Sequence, residues 1–180
     1  MAQEIETKIL DINADEVKSK LLALGAKKIQ ETRLSVNWYQ TKGEKEGSAN
    51  WFLRIRSNSE GKHEVTWKGD PQTMGIAKVR REINFLVEEP EKVADLFKEL
   101  GLEKYGHQEK DRTSYEYQDW HFDIDQYPGM PPFLEIEGKS EEHIKEGMKL
   151  LGLENNRTYN KGERALIQEI YNLDWYQMKF

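Results

Sequence analysis

The sequence predicts an α+β fold: an antiparallel sheet with one strongly charged face closes into a barrel, and helices pack on its outside. Three observations carry that prediction. Seven short segments alternate charged and apolar residues with a period of two. Three further segments space apolar residues as a helix does, and each ends on a glycine at the same offset. No Pro/Gly/Ser-rich linker interrupts the 180 residues, so one domain over 1–180 is expected.

In chain order, Glu4, Glu6 and Lys8 alternate with Ile5 and Ile9 in the first strand. A helix follows, started by Asn13 with Glu16 three residues on and carried by Val17, Leu21 and Leu24 as far as Gly25. Arg54 and Arg56 alternate with Leu53 and Ile55, and Thr66 and Lys68 with Val65 and Trp67. Arg80, Glu82 and Asn84 alternate with Val79, Ile83 and Phe85, Arg81 being an exception on the apolar side. Pro90 opens a second helix through Val93, Leu96, Phe97 and Leu100 to Gly101. Lys110, Arg112 and Ser114 alternate with Thr113, Tyr115 and Tyr117. Asp123 and Asp125 alternate with Phe122 and Ile124, and Glu135 and Glu137 with Leu134 and Ile136. A third helix runs through Ile144, Met148 and Leu151 to Gly152, and a fourth covers about Gly162 to Tyr171. The turn-rich stretches Thr41 to Asn50 and Gly69 to Gly75 read either as plain connections or as a lid, with Lys42 or Lys45 recruiting ligand. The aromatic tail from Trp175 to Phe180 is expected to dock on the barrel or on a second subunit.

Any one alternating segment fits an ordinary sheet with one wet face. Seven together are harder to explain that way, because their polar faces hold carboxylates, Arg and Lys and few neutral groups. Like charges so close together repel and need neutralising partners. Arg and Lys can neutralise a polyphosphate, and carboxylates can hold Mg²⁺ or Mn²⁺, hard ions that prefer oxygen. A hydrated barrel interior spares such a cluster the cost of dry burial, and closure removes the sheet's edges.

Composition narrows the classes. A net charge of −6 argues against an electrostatic nucleic-acid binder. Without cysteine there is neither a disulfide framework nor a thiolate metal site. The four histidines lack ligand spacing, and only His121, beside Asp123, is placed near the cavity. No glycine-rich phosphate loop opens a helix, so phosphate recognition has to come from side chains. No targeting or long apolar segment is legible, so a cytoplasmic protein with no membrane partner is expected.

Glu4-Ile5-Glu6-Thr7-Lys8 resembles the ExExK signature of the CYTH superfamily, the triphosphate tunnel metalloenzymes. Leu53-Arg54-Ile55-Arg56, Thr66-Trp67-Lys68-Gly69, Arg80-Arg81-Glu82, Glu109-Lys110-Asp111-Arg112, Ile124-Asp125 and Phe133-Leu134-Glu135-Ile136-Glu137 follow in family order, and Arg157-Thr158-Tyr159 resembles the usual ending. The resemblance implies an antiparallel eight-stranded β-barrel, a tunnel flanked by helices. It implies that Glu4, Glu6, Glu135 and Glu137 hold catalytic Mg²⁺ or Mn²⁺, assisted by Asp125, ahead of Asp123, and by Glu82. Lys8, Arg54, Arg56, Lys68, Arg80, Lys110 and Arg112 are implied to grip the triphosphate. Lys8, Glu4, Glu6 and Lys68 form the implied catalytic set, with Tyr39 more loosely matched as a hydrogen-bond partner of Lys8. The expected activity is metal-dependent hydrolysis of a small triphosphate by a monomer or homodimer. The alternatives are class IV-type adenylate cyclase chemistry and a non-catalytic polyphosphate-binding module.

Overall fold

Every alternating segment forms a strand, and the strands close on one another. The computed structural model describes residues 3–45 and 48–180. The elements are β1 Gln3–Ile9, α1 Ala14–Ala23, β2 Lys27–Thr41, β3 Phe52–Asn58, β4 His63–Lys68, β5 Gln72–Met74, β6 Ala77–Val87, α2 Pro90–Glu99, β7 Leu102–Tyr117, β8 Trp120–Gln126, β9 Phe133–Glu137, α3 Glu141–Leu150, β10 Thr158–Tyr159 and α4 Glu163–Ala165. The strands run β1-β9-β8-β7-β2-β3-β4-β6, and β6 returns to β1, closing an eight-stranded antiparallel barrel. β5 adds to β6 and β10 to β1 outside that ring.

Register puts the charged rows on one inner surface, since residues paired across a ladder share a face. Around the ring, Lys8 faces Glu135, Glu135 faces Asp123, Asp125 faces Arg112 and Thr32 faces Arg112 from the other side. The circuit continues through Val36 with Arg56, Arg54 with Thr66 and Lys68 with Glu82, then returns through Glu4 with Arg80 and Glu6 with Lys78. The outward residues make the cores. Ile9, Phe122, Leu134 and Ile136 pack on Val17, Leu21, Ile144 and Met148 of α1 and α3. Leu53, Ile55 and Val65 pack on Phe97 and Val93 of α2. Arg81, the outward exception, has its guanidinium 6.0 Å from the Trp67 ring. Ile83 and Phe85 also point outward but stay 45% and 53% exposed.

The helix signals hold in detail. Asn13 accepts hydrogen bonds from the Asp15 and Glu16 amides at 3.1 and 3.2 Å, and Pro90 sits in the first turn of α2. Gly25, Gly101 and Gly152 all adopt positive φ, the left-handed geometry that ends a helix. The expected fourth helix is only three residues of α-helix before the chain widens into a π-helical turn over Leu166–Ile170. That turn buries both Leu166 and Ile167.

β2 is the barrel strand that no charged alternation announces. Its inward residues Leu34, Val36 and Trp38 are apolar, and the C-terminal segment packs on them with Leu166, Ile167, Trp175 and Met178. The tail therefore docks on its own barrel, with the Met178 carbonyl accepting from the Glu109 amide at 2.7 Å and Arg33 stacked 3.7 Å over the Phe180 ring. Gly106 on β7 leaves the room: a Cβ there would lie 2.7 Å from the Trp175 ring. Gly106→Ala is expected to cost about 1–3 kcal/mol by overpacking. Urea unfolding checks this, and an unchanged midpoint would mean the ring is not tightly seated.

The stretch from Gly69 to Gly75 is no free loop, because its residues 72–74 pair with β6 as β5. The other turn-rich stretch lies partly outside the described residues, at 46 and 47. Its Ala49 and Asn50 line the central cavity, whereas Lys42 and Lys45 are not among the residues that do. No helix among the described residues is long and apolar enough to cross a membrane.

Candidate active site

The barrel encloses a cavity of about 650 Å³ lined by Glu4, Glu6, Lys8, Arg54, Arg56, Lys68, Lys78, Arg80, Glu82, Arg112, Asp123, Glu135 and Glu137. Twelve of the fourteen distinct charged residues singled out from sequence line the cavity, as does His121. Lys78, two residues before Arg80 on the same face, joins them and was overlooked although its position in the alternation announces it.

One part of the wall is neutralised internally. Lys8 bonds Glu135 at 2.9 Å. Arg112 reaches Glu135 at 2.7 Å, grips Asp125 at 2.6 Å through both Nε and Nη2, and pairs with Asp123. Asp123 also accepts from Ser114 Oγ at 2.5 Å and lies 3.1 Å from His121 Nε2. Burial raises the Asp123 carboxyl, but Arg112, His121 and Ser114 outweigh it and hold it down at about 2. His121 is shifted the other way, raised chiefly by its bond to Asp123. Asp123 lines the cavity and Asp125 does not. Asp125 is fully buried, with one oxygen on Arg112 and the other shared by Arg112 and Lys110. The structure thus places Asp123 where the sequence favoured Asp125, and gives Asp125 the task of fixing Arg112.

Lys110 likewise lies behind the cavity wall. Its ammonium joins Asp125, at 2.7 Å, to Glu163 of α4, and Glu163 also accepts from Tyr127 Oη at 2.6 Å. Asp125, Glu135 and Glu163 bring carboxylate oxygens within 4.8 Å of one another. Lys110, Lys8 and Arg112 already neutralise that trio, so it reads as a salt-bridge knot clamping the C-terminal segment to the barrel. Glu163 lies outside every strand, and no period in the sequence marks it. Burial pushes its carboxyl up, yet Lys110, Lys8 and Arg112 leave it at about 2. Glu163→Gln should cost about 3–5 kcal/mol, since Lys110 loses a buried partner. Denaturant unfolding tests this, and a loss below about 1 kcal/mol would contradict the clamp.

The other carboxylates are differently placed. Glu4 and Glu82 share the Lys68 ammonium, with Glu82 at 2.9 Å, and Glu6 holds Lys78. Burial, then the neighbouring Glu6, raise the Glu4 carboxyl to about 7 against the pull of Lys68. Glu6 is pushed up by burial, but Lys78, Lys8 and Lys68 outweigh that and hold it well below the usual carboxylate range. Glu137 makes no ion pair among the described residues, and burial raises it. An oxygen-only set with one carboxyl crowded up to about 7 fits a hard divalent cation, which would relieve the crowding.

Arg54 and Arg56 of β3 and Arg80 of β6, the last paired in register with Glu4, line the same cavity. Arg56 bonds Glu64 at 2.7 Å, another residue in phase with its strand that sequence reading passed over. Arg54 Nε and both Nε and Nη1 of Arg80 are buried with no hydrogen-bond partner. Such donors cost about 1–3 kcal/mol each when left unsatisfied, more when charged. Tyr39, like Lys110 and Asp125, is not among the residues that line the cavity. Its neighbour Trp38 points inward, so Tyr39 points outward, stacking edge-on against Phe97 of α2 with centroids 5.1 Å apart. It cannot reach Lys8.

A closed antiparallel tunnel with facing rows of carboxylates and cations defines the class of protein. The chain matches the CYTH domain over residues 2–165, and it belongs to that family. It is 32% identical over 148 residues to a Methanocaldococcus jannaschii protein with a provisional adenylate cyclase name, covering 82% of this chain and 83% of that one. Among solved structures it resembles the PH1012 protein of Pyrococcus horikoshii, with TM-score 0.68, 26% identity and coverage of 86% of this chain and 94% of that one. A Hippeastrum protein described as having a dominant triphosphatase activity shares the fold, with TM-score 0.68, 16% identity and coverage of 94% and 96%.

Proposed function

We propose that the chain hydrolyses the triphosphate of a small molecule inside the barrel, with Mg²⁺ or Mn²⁺. The observation that carries this reading is the trio of buried, unpartnered guanidinium nitrogens on Arg54 and Arg80, two residues that line the same cavity as a row of carboxylates. A polyanion supplies the missing acceptors, and guanidinium forks match phosphate oxygens. Glu4, Glu6 and Glu137 would hold the cation, with Glu82, Glu135 and Asp123 at its margin. When bound, the cation supplies Lewis-acid polarisation of phosphate oxygens and a more acidic water.

The chain's own groups do the rest. Arg54, Arg56 and Arg80 bind the phosphate chain and fix its register. Lys68, bridging Glu4 and Glu82, stands between the carboxylate and guanidinium walls, where its charge stabilises the transferring phosphoryl group. Arg112 faces the cavity in a geometry fixed by Asp123, Asp125 and Glu135, which costs no reorganisation during reaction. Lys8 holds Glu135 in place.

The name of the M. jannaschii relative keeps cyclase chemistry as the second reading, in which a ribose 3′-hydroxyl attacks the α-phosphorus and pyrophosphate leaves. The same walls serve both reactions. Incubation with ATP and each metal, followed by separate assays for phosphate and cyclic AMP, decides. Phosphate release without cyclic AMP is expected. Cyclic AMP formation would reverse the order, and tight binding without turnover would leave a binding module.

A further inference from the structure

The lysine that holds Glu6 differs from the other lysines of the cavity in having nothing else to hold. Lys68 bridges Glu4 and Glu82, so it keeps Glu82 at 2.9 Å when Glu4 turns to another partner. Lys8 lies 4.0 Å from Glu6 but is anchored on Glu135 at 2.9 Å. Lys78 has Glu6 alone. The two face each other in register across β1 and β6, and Lys78 makes no second ion pair among the described residues. It is buried in the cavity wall, so water does not readily replace Glu6 as its partner.

Glu6 is also one of the carboxylates proposed above to hold the divalent cation. A cation seated there leaves a buried ammonium without a counter-charge, which is a costly state. A replacement is within reach. Arg80 stands two residues further along the same face of β6, with two guanidinium nitrogens buried and lacking acceptors. Two strand positions span roughly 6–7 Å, so a phosphate chain seated on Arg80 can reach the Lys78 ammonium as well. Resting on the triphosphate reading, we infer that Lys78 is an exchanging counter-ion: it neutralises Glu6 in the ligand-free barrel and passes to the phosphate chain when a divalent cation takes Glu6. Metal alone orphans Lys78, and phosphate alone finds it occupied, so the two ligands bind cooperatively. The species the barrel takes is then the preformed metal–triphosphate complex, in preference to free metal.

Calorimetry on the full chain tests this, with Mn²⁺ alone and with the Mn²⁺ complex of a non-hydrolysable imido analogue of tripolyphosphate. Lys78→Met should bind Mn²⁺ alone roughly tenfold more tightly than wild type, because Glu6 is no longer guarded. It should bind the complex roughly tenfold more weakly, because the phosphate chain loses an ammonium. A lysine that merely braced Glu6 would not move the two affinities in opposite directions. Crystals of the wild-type protein with the same complex give a reading that does not depend on the variant folding: Lys78 Nζ should lie on a phosphate oxygen and off Glu6. Undiminished affinity of Lys78→Met for the complex, Mn²⁺ affinity that does not rise, or Lys78 still on Glu6 in the wild-type complex would overturn the exchange while leaving the triphosphate reading standing. Failure of the wild-type protein to bind the complex would overturn that reading and the exchange with it.

Discussion

With Arg54 and Arg80 both replaced by glutamine, affinity for a triphosphate is expected to fall at least about a hundredfold while the protein unfolds no more easily than before. The two effects have one cause. In the ligand-free barrel, Arg54 Nε and Arg80 Nε and Nη1 are buried donors without acceptors, so they cost stability. A bound polyanion repays that cost through charge-assisted hydrogen bonds worth about 1.5–3 kcal/mol each. Removing the charges relieves the folded state and disables the site together. Calorimetry with tripolyphosphate beside a thermal melt reads both quantities. A double variant that melts well below wild type would show these arginines to be structural braces, as Lys110 is.

The second large effect separates Glu4 from Glu6, two carboxylates that look equivalent in the sequence. Glu4→Gln should lower metal-dependent turnover by roughly three orders of magnitude, several kcal/mol of lost electrostatic stabilisation, with little loss of stability. The carboxyl is already raised to about 7, so an amide mimics a state it nearly occupies. Glu6→Gln should also abolish turnover but cost about 3–5 kcal/mol in stability, because Lys78 loses its buried partner. The pH dependence has a defined sign. A folded-state pKa raised from 4.5 to about 7 means that the native state binds the proton more tightly than the unfolded chain. Metal-free protein should therefore gain stability from Glu4 as pH falls from above 7 to 4.5, and Glu4→Gln should remove that gain. Asp123 and Glu163, both near 2, act oppositely: their contribution is complete above about 4.5 and disappears as pH falls toward 2. Denaturant titrations from pH 3 to 8 resolve the two windows. A Glu4→Gln curve parallel to wild type between 4.5 and 7 would contradict the raised carboxyl.

Much of the barrel was legible because its interior is charged. Where an inward row is ionic and the outward row apolar, period two stands out, as at Glu4–Glu6–Lys8 against Ile5 and Ile9. β2 escaped because its inward residues Leu34, Val36 and Trp38 are apolar and covered by the C-terminal segment, while the polar Arg33, Ser35 and Asn37 alternate on its other face, so no charged row marks its inner side. Lys78 and Glu64 were in phase with their strands, and following the alternation two residues further would have found them. Glu163 could not be found that way, since its role arises from a tertiary contact between α4 and Lys110. The same contact explains why Lys110 and Asp125, both carried by alternating strands, serve the clamp and not the cavity surface. Tyr39 failed on the simplest rule: with Trp38 inside, its neighbour on an extended strand has to be outside.

The central claim is that the unpaired guanidiniums exist to take a triphosphate. A crystal structure with tripolyphosphate and Mn²⁺ tests it most directly. Phosphate oxygens should lie within hydrogen-bond distance of Arg54 and Arg80, with Mn²⁺ on Glu4, Glu6 and Glu137. Phosphate density on the barrel's outer surface, with the two arginines still unpartnered inside, would contradict it.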